Sequence, residues 1–188
     1  MFIQTESTPN PETLKFLPGC DVMGKSSANF TDKEMAKNSP LATRLFNTVG
    51  VEGVYLGSDF ITVTKMEGKE WESLKPLILG AIMEHFNSGE AAVDNIEIPQ
   101  VQDTENDDED TVHSSIENQI KELLDTRVRP AVAQDGGDII FHSYKDGIVY
   151  LTMQGACSGC PSSTATLKHG IENMLRHYIP EVTEVRPA

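Results

Sequence analysis

Two cysteines separated by two residues form the most chemically informative stretch of the sequence. Cys157 and Cys160 lie in Ala156-Cys157-Ser158-Gly159-Cys160-Pro161-Ser162-Ser163, and their spacing lets both sulfurs face one point, as metal ligation or disulfide chemistry requires. The run 148–153 before them is rich in β-branched and aromatic residues and predicts a strand. Pro161 suits the first turn of a helix, because its missing N–H costs nothing there. The pair is therefore expected on a strand-to-helix loop, with Cys160 beside a helix N-terminus, a setting that lowers a cysteine pKa.

The sequence around this loop predicts a small domain of two helices and a sheet. A first helix is expected to bend or restart at Pro130 and to end at Asp135–Asp138, where two glycines follow the aspartate. Strands 138–144 and 147–154 are joined by an Asp-Gly turn, and 182–186 is expected to add an edge strand. Packing both helices on one sheet face is the simplest α+β arrangement. Apolar residues with helical spacing mark the two helices: Ile116, Ile120, Leu123, Leu124 and Val128, then Leu167, Ile171, Met174, Leu175 and Tyr178.

The N-terminal half predicts a second α+β unit. Strands are expected at 2–6 and 13–17 around a proline-containing turn, and at 51–56 and 60–65 around a Gly-Ser-Asp hairpin. Residues 21–38 look irregular. Ser39 and Pro40 indicate a helix start, with serine as N-cap and proline in the first turn. A later helix carries Trp71, Leu74, Ile78, Ile82 and Phe86 on one face, and Pro76 within it predicts a kink or a start near Lys75.

Composition divides the chain between these units. Residues 93–112 contain eight acidic residues and no basic one, which is typical of a disordered, extended linker. The fold class is therefore two small α+β domains, residues 1–92 and 113–188, joined by an acidic disordered linker at 93–112. The net charge of −14 argues against nucleic-acid or anionic-membrane partners. Neither a long apolar run nor a secretory signal pattern is present, and three cysteines suit a reducing compartment.

Ligand counting narrows what the cysteine pair can do. Iron–sulfur clusters and structural zinc sites usually take four ligands, and the pair supplies two, so a second copy of the chain is expected to supply the others by symmetry. Two rival interpretations remain open. The pair could be a dithiol–disulfide redox site, since C-x-x-C at a helix start is also the thioredoxin arrangement, or it could bind zinc together with histidines. The histidines of this domain are His113, His142, His169 and His177.

Several other residues could have either a structural role or a role at the metal site. Cys20 has no cysteine at short spacing and is expected to be incidental. Gly136 and Gly137 are expected either to form a backbone turn or to let the backbone approach a cluster closely. Ser158, Ser162 and Ser163 could donate hydrogen bonds to cluster sulfurs or only cap the helix. No catalytic triad, paired carboxylates or phosphate loop is recognisable, so the sequence predicts no enzyme.

Both halves resemble one known family. Asp135-Gly136-Gly137-Asp138-Ile139, the segment 155–163 with its cysteines, and Leu167-Lys168 with Ile171-Glu172 resemble the C-terminal domain of the NifU family. The opening segment 5–11, Thr-Glu-Ser-Thr-Pro-Asn-Pro, and Leu14-Lys15-Phe16 resemble the Nfu N-terminal domain. The resemblance covers both folded units and leaves out the linker. The further cysteine-rich domains of complete NifU proteins are missing from this sequence.

The resemblance implies an iron–sulfur cluster scaffold or carrier. Cys157 and Cys160 match the family's cluster ligands, and members hold a four-iron four-sulfur cluster between two protomers. They pass it to apo iron–sulfur client proteins such as aconitase or lipoyl synthase, and they work with upstream assembly factors. A homodimer is therefore expected when the cluster is loaded. A bacterial cytoplasm is the expected location, with the mitochondrial matrix as the alternative.

Overall fold

The chain forms two α+β domains. The computed structural model describes residues 2–94, 111–158 and 161–188, and only the backbone of 111–114 and 161–163 within these ranges. About 40% of the chain is helical and 27% is strand, which confirms the predicted fold class. The acidic linker predicted at 93–112 lies almost wholly outside the described residues.

A five-stranded antiparallel sheet forms the N-terminal domain. The strands are β1 (Gln4–Ser7), β2 (Thr13–Leu17), β3 (Ala28–Phe30), β4 (Val51–Leu56) and β5 (Ile61–Lys65), in the order β1-β2-β5-β4-β3. Helices α1 (Pro40–Phe46) and α2 (Trp71–Ser88) cover one face. The core between them is apolar because alternate strand residues such as Phe16, Val54 and Ile61 point toward the helices. The opposite face therefore carries the intervening, more polar side chains.

Local signals account for most of these boundaries. The Ser39 hydroxyl accepts a hydrogen bond from the Ala42 N–H at 3.0 Å, as an N-cap residue should. Two expectations are wrong. Residues 21–38 are not wholly irregular, because β3 pairs with β4 and buries Phe30. Helix α2 begins at Trp71 with Pro76 inside it, so of the two alternatives for Pro76 the helix start near Lys75 is wrong, while the kink stays a prediction.

The C-terminal domain has a three-stranded sheet in the order β6-β7-β8. Strand β6 (Gly137–Lys145) pairs antiparallel with β7 (Ile148–Gly155), and β8 (Glu184–Pro187) pairs parallel with β7 at the edge. The turn between β6 and β7 is an Asp-Gly turn in which both Asp146 and Gly147 have positive φ, as a tight hairpin requires.

Three helices cover one face of this sheet. Helix α3 (Thr111–Leu123) runs through a π-helical turn at Leu124–Val128 into α4 (Arg129–Gln134), and α5 (Pro161–Tyr178) connects β7 to β8. The wide turn falls where the Pro130 ring would clash with the carbonyl four residues earlier, in agreement with the prediction that the helix bends or restarts at Pro130. On α5, Ile171 and Leu175 are buried, whereas Tyr178 is exposed and does not belong to the apolar face. Among the described residues, no helix is long and apolar enough to cross a membrane.

Candidate metal centre: the cysteine loop

A tight turn at the end of β7 positions Cys157. Gly155 has a φ of 60°, a backbone conformation that side chains disfavour. The Ala156 N–H donates to the Gly136 carbonyl at 3.1 Å, and the Ser158 N–H donates to the Gly155 carbonyl at 3.1 Å. The turn is therefore held on one side by the neighbouring strand and on the other by its own backbone.

Ser158 has a local role in this turn. Its hydroxyl donates to the Gly155 carbonyl at 2.9 Å, so it is engaged with the loop rather than with the helix. The side chains of Ser162 and Ser163, for which the sequence allowed the same roles, lie outside the described atoms.

Gly137 is the point of closest approach to the cysteine. A Cβ added there would lie 2.3 Å from Cys157 Sγ and 2.9 Å from both the Cys157 nitrogen and the Gln154 carbonyl oxygen. Gly136, with a φ of 79°, makes the preceding turn. Of the two explanations for this glycine pair, turn chemistry therefore holds for Gly136, while Gly137 gives room to the cysteine side chain.

Cys157 is a buried thiol with a raised pKa. Only 6% of the residue is exposed, and it packs with the apolar core of its domain. Burial raises the pKa of this thiol to about 12, with smaller contributions from the negative charges of Asp135 and Asp138. The lowered pKa that the sequence predicts beside the helix N-terminus concerns Cys160, which lies outside the described residues. At Cys157 desolvation opposes the thiolate. Metal ligation by Cys157 would require loss of the thiol proton, since the thiolate is the metal-binding form.

The second predicted ligand, Cys160, lies outside the described residues, as does Gly159. Helix α5 begins at the next residue, Pro161, as the sequence predicts. Within the described ranges no three His, Cys, Asp or Glu side chains come together as a metal site. Cys20 is exposed and belongs to the loop that follows β2 in the other domain.

A charged network that the sequence did not reveal supports the loop. Asp138, the first residue after the two glycines, is 5% exposed and accepts two hydrogen bonds from Arg129, both at 2.8 Å. It also accepts from the Tyr55 hydroxyl of the N-terminal domain at 3.1 Å. These contacts raise the pKa of Arg129, chiefly through the hydrogen bonds to Asp138, while burial is the main cause of the raised pKa of Tyr55. The network ties α4, β6 and β4 together beside the glycine pair.

Both halves of the chain match models of known protein families. The family description "Scaffold protein Nfu/NifU N terminal" matches residues 3–89, and "NifU-like domain" matches residues 120–186. The chain belongs to the NifU/Nfu family. The resemblance predicted from the motifs around Asn10 and Cys157 is therefore confirmed.

Relatives of this NifU/Nfu chain carry a consistent name. A protein of Drosophila sechellia named "NFU1 iron-sulfur cluster scaffold homolog, mitochondrial" is 52% identical over 186 residues, which cover 98% of this chain and 64% of the relative. The protein of that name from Drosophila virilis is 53% identical over 188 residues, covering 98% of this chain and 61% of the relative. The chain thus spans less than two thirds of their length. A solution structure of a NifU-like protein from Saccharomyces cerevisiae is similar with 32% identity and a TM-score of 0.44, covering 49% of this chain and 83% of that one.

Proposed function

We propose that this protein is an iron–sulfur cluster scaffold and carrier. Cys157 and Cys160 of two chains would together hold one four-iron four-sulfur cluster, and the loaded homodimer would deliver it to apo iron–sulfur client proteins after receiving iron and sulfide from assembly factors. The observation that carries this proposal is the C-x-x-C pair on the strand-to-helix loop of a NifU-like domain. Relatives about half identical to this chain are named iron–sulfur cluster scaffold homologs.

The cysteine count supports a cluster shared between chains. A cluster usually takes four thiolates, and the chain has three cysteines. Cys20 is exposed and belongs to the domain that lacks the C-x-x-C pair. Two chains contribute four thiolates from equivalent loops, and the symmetric arrangement needs no further ligand.

The burial of Cys157 favours this role over redox catalysis. In a C-x-x-C oxidoreductase a reactive cysteine needs exposure and a lowered pKa to attack a disulfide. Cys157 is buried, and burial raises its pKa, so it lacks the exposure and the lowered pKa of such a nucleophile. We therefore propose a role other than that of an enzyme.

The comparisons also support proposals for the domain boundaries and the cellular location. We propose units at 1–92 and 113–188 with a linker at 93–112, in agreement with the ranges of the two family matches. The mitochondrial names of the relatives favour the matrix over a bacterial cytoplasm as the place of action.

Anaerobic reconstitution with iron and sulfide tests the proposal. We expect the full chain to turn brown and to bind iron and sulfide in equal amounts. Cys157→Ala and Cys160→Ala should each lose the bound iron, and Cys20→Ala, the matched control, should retain it. The loaded wild type should also restore activity to an apo four-iron enzyme. A colourless product that instead reduces a disulfide substrate would refute the carrier and identify an oxidoreductase.

A further inference from the structure

The N-terminal sheet has a second face that is polar and yet buried. Lys15, Tyr55 and Thr62 alternate with core residues along β2, β4 and β5 and point away from α1 and α2. They are nevertheless only 7%, 3% and 1% exposed. The residues that bury this face belong to the C-terminal domain, as the Thr62 hydroxyl shows by donating to the Gly136 carbonyl at 2.6 Å.

The contacts of this face bracket Cys157. The side-chain amide of Asn10 donates to the Ser158 carbonyl at 3.3 Å, directly after the cysteine. Before it, the Tyr55 ring packs over Gly155, where an added Cβ would lie 3.1 Å from the ring. Thr62 binds the same Gly136 carbonyl that holds Ala156. The N-terminal domain therefore covers the cysteine loop from both sides of Cys157.

The turn that presents Asn10 is rigid for a clear reason. The Thr8 hydroxyl accepts from the Asn10 N–H at 3.2 Å, and Asn10 Oδ1 accepts from the Glu12 N–H at 3.0 Å. Both bonds are the local side-chain to backbone type that fixes turns. The second bond uses the oxygen of the Asn10 side-chain amide and leaves the amide nitrogen to reach Ser158. The proline-containing turn of the N-terminal domain thereby gains a specific role at the cysteine loop.

The remaining contacts are polar and can be exchanged for water. Lys15 Nζ donates to the Ala133 and Gln134 carbonyls at 3.0 and 3.1 Å. A cation at this position stabilises the C-terminal end of α4. The Tyr55 hydroxyl donates to Asp138. Polar contacts between domains of one chain are typical of interfaces that open and close. Opening this one exposes hydroxyl, amide and ammonium groups together with the ring of Tyr55.

We propose that the polar sheet face of the N-terminal domain, defined by Asn10, Lys15, Tyr55 and Thr62, is an internal cap on the cysteine loop. It occupies the loop in the cluster-free chain and must leave before the loop of a second chain can approach Cys157 across a shared cluster. Capping and pairing then compete for one surface, so each weakens the other by the same factor. This inference rests on the proposed function for the shared cluster, whereas the capped state itself does not.

Small-angle X-ray scattering of the anaerobic, cluster-free full chain tests the cap. A chain of this length packed as one body has a radius of gyration of about 16 Å. We expect Lys15→Glu and Thr62→Arg to enlarge the radius of gyration relative to wild type. A carboxylate at position 15 would repel the Ala133 and Gln134 carbonyls, and an arginine at position 62 is too large for the buried contact with Gly136. Lys69→Glu makes the same charge change on an exposed turn and should leave the radius unchanged. Circular dichroism checks that each variant is folded. If Lys15→Glu does not fold, Thr62→Arg alone decides whether the cap exists.

Cluster loading then tests the competition. If the cap must open first, the apparent affinity between loaded chains depends on the open fraction. We expect both cap variants to form loaded dimers at roughly tenfold lower chain concentration than wild type and Lys69→Glu. Equal radii for wild type and both cap variants would overturn the cap. Larger radii with unchanged dimerisation would overturn the competition. If no chain binds iron, the proposed function fails, while the scattering comparison still decides whether the cap exists.

Discussion

Replacing Gly137 by alanine tests the packing that positions Cys157. The added Cβ would lie 2.3 Å from the Cys157 sulfur and 2.9 Å from two backbone atoms of the same hairpin and turn. Because backbone atoms cannot yield cheaply, we expect a destabilisation of about 2–3 kcal/mol, within the range for overpacked sites. For a domain of this size that lowers the melting temperature by roughly 10–20 °C. The sulfur must also shift, so reconstituted iron per chain should fall.

The matched control is Gly170→Ala in the same domain. Gly170 lies in α5, and a Cβ there meets no atom within 4 Å beyond its own helix. Alanine at an open helical position should raise the unfolding free energy by about 0.5–1 kcal/mol. Chemical denaturation and iron analysis of both variants give the comparison. If Gly137→Ala is as stable as Gly170→Ala and binds as much iron, the close contact at Cys157 does not exist as described.

Three further predictions concern protonation, access and the charged network. His85 is fully buried, and neither ring nitrogen has a hydrogen-bond partner among the described residues. Burial lowers the pKa of His85 below 6.5. The stability that the neutral ring contributes to folding is therefore complete above pH 6.5 and is lost as the pH falls, by at most about 1.4 kcal/mol per pH unit. Urea unfolding at pH 7 and pH 5 should show a smaller loss of unfolding free energy in His85→Leu than in wild type, and an equal loss in the two proteins would contradict this prediction. Iodoacetamide should modify buried Cys157 about tenfold or more slowly than exposed Cys20, and peptide mass spectrometry finding equal rates would contradict its burial. Arg129→Gln should lower stability by about 2 kcal/mol, less than for a fully buried pair because Arg129 is 41% exposed; an unchanged denaturation midpoint would refute a structural role for its bonds to Asp138.

Much of the secondary structure follows from short-range chemistry. Ser39 with Pro40 marks the start of α1, and Asp146 with Gly147 marks the β6–β7 turn, because these residues adopt or stabilise the required backbone on their own. Pro130 likewise predicts the change in helix geometry between α3 and α4. Strand β3 was missed because it has three residues, and its identity depends on pairing with β4.

The environment of the cysteine was harder to predict, since it depends on distant residues. The C-x-x-C spacing singles out Cys157 and Cys160 as candidate ligands, but the raised pKa of Cys157 comes from burial that the spacing does not encode. Gly137 could be singled out only as part of a glycine pair. The contact of Asn10 with Ser158 joins residues 148 positions apart, and no local pattern announces such a contact.

Native mass spectrometry of the anaerobically reconstituted full chain tests the central claim most directly. The account predicts a species of two chains plus one four-iron four-sulfur cluster, which reverts to single chains when the cluster is removed. Cys157→Ala and Cys160→Ala should give only cluster-free chains. A cluster retained on a single wild-type chain, or a loaded dimer that survives with Cys157 replaced, would contradict the shared cluster at the cysteine loop.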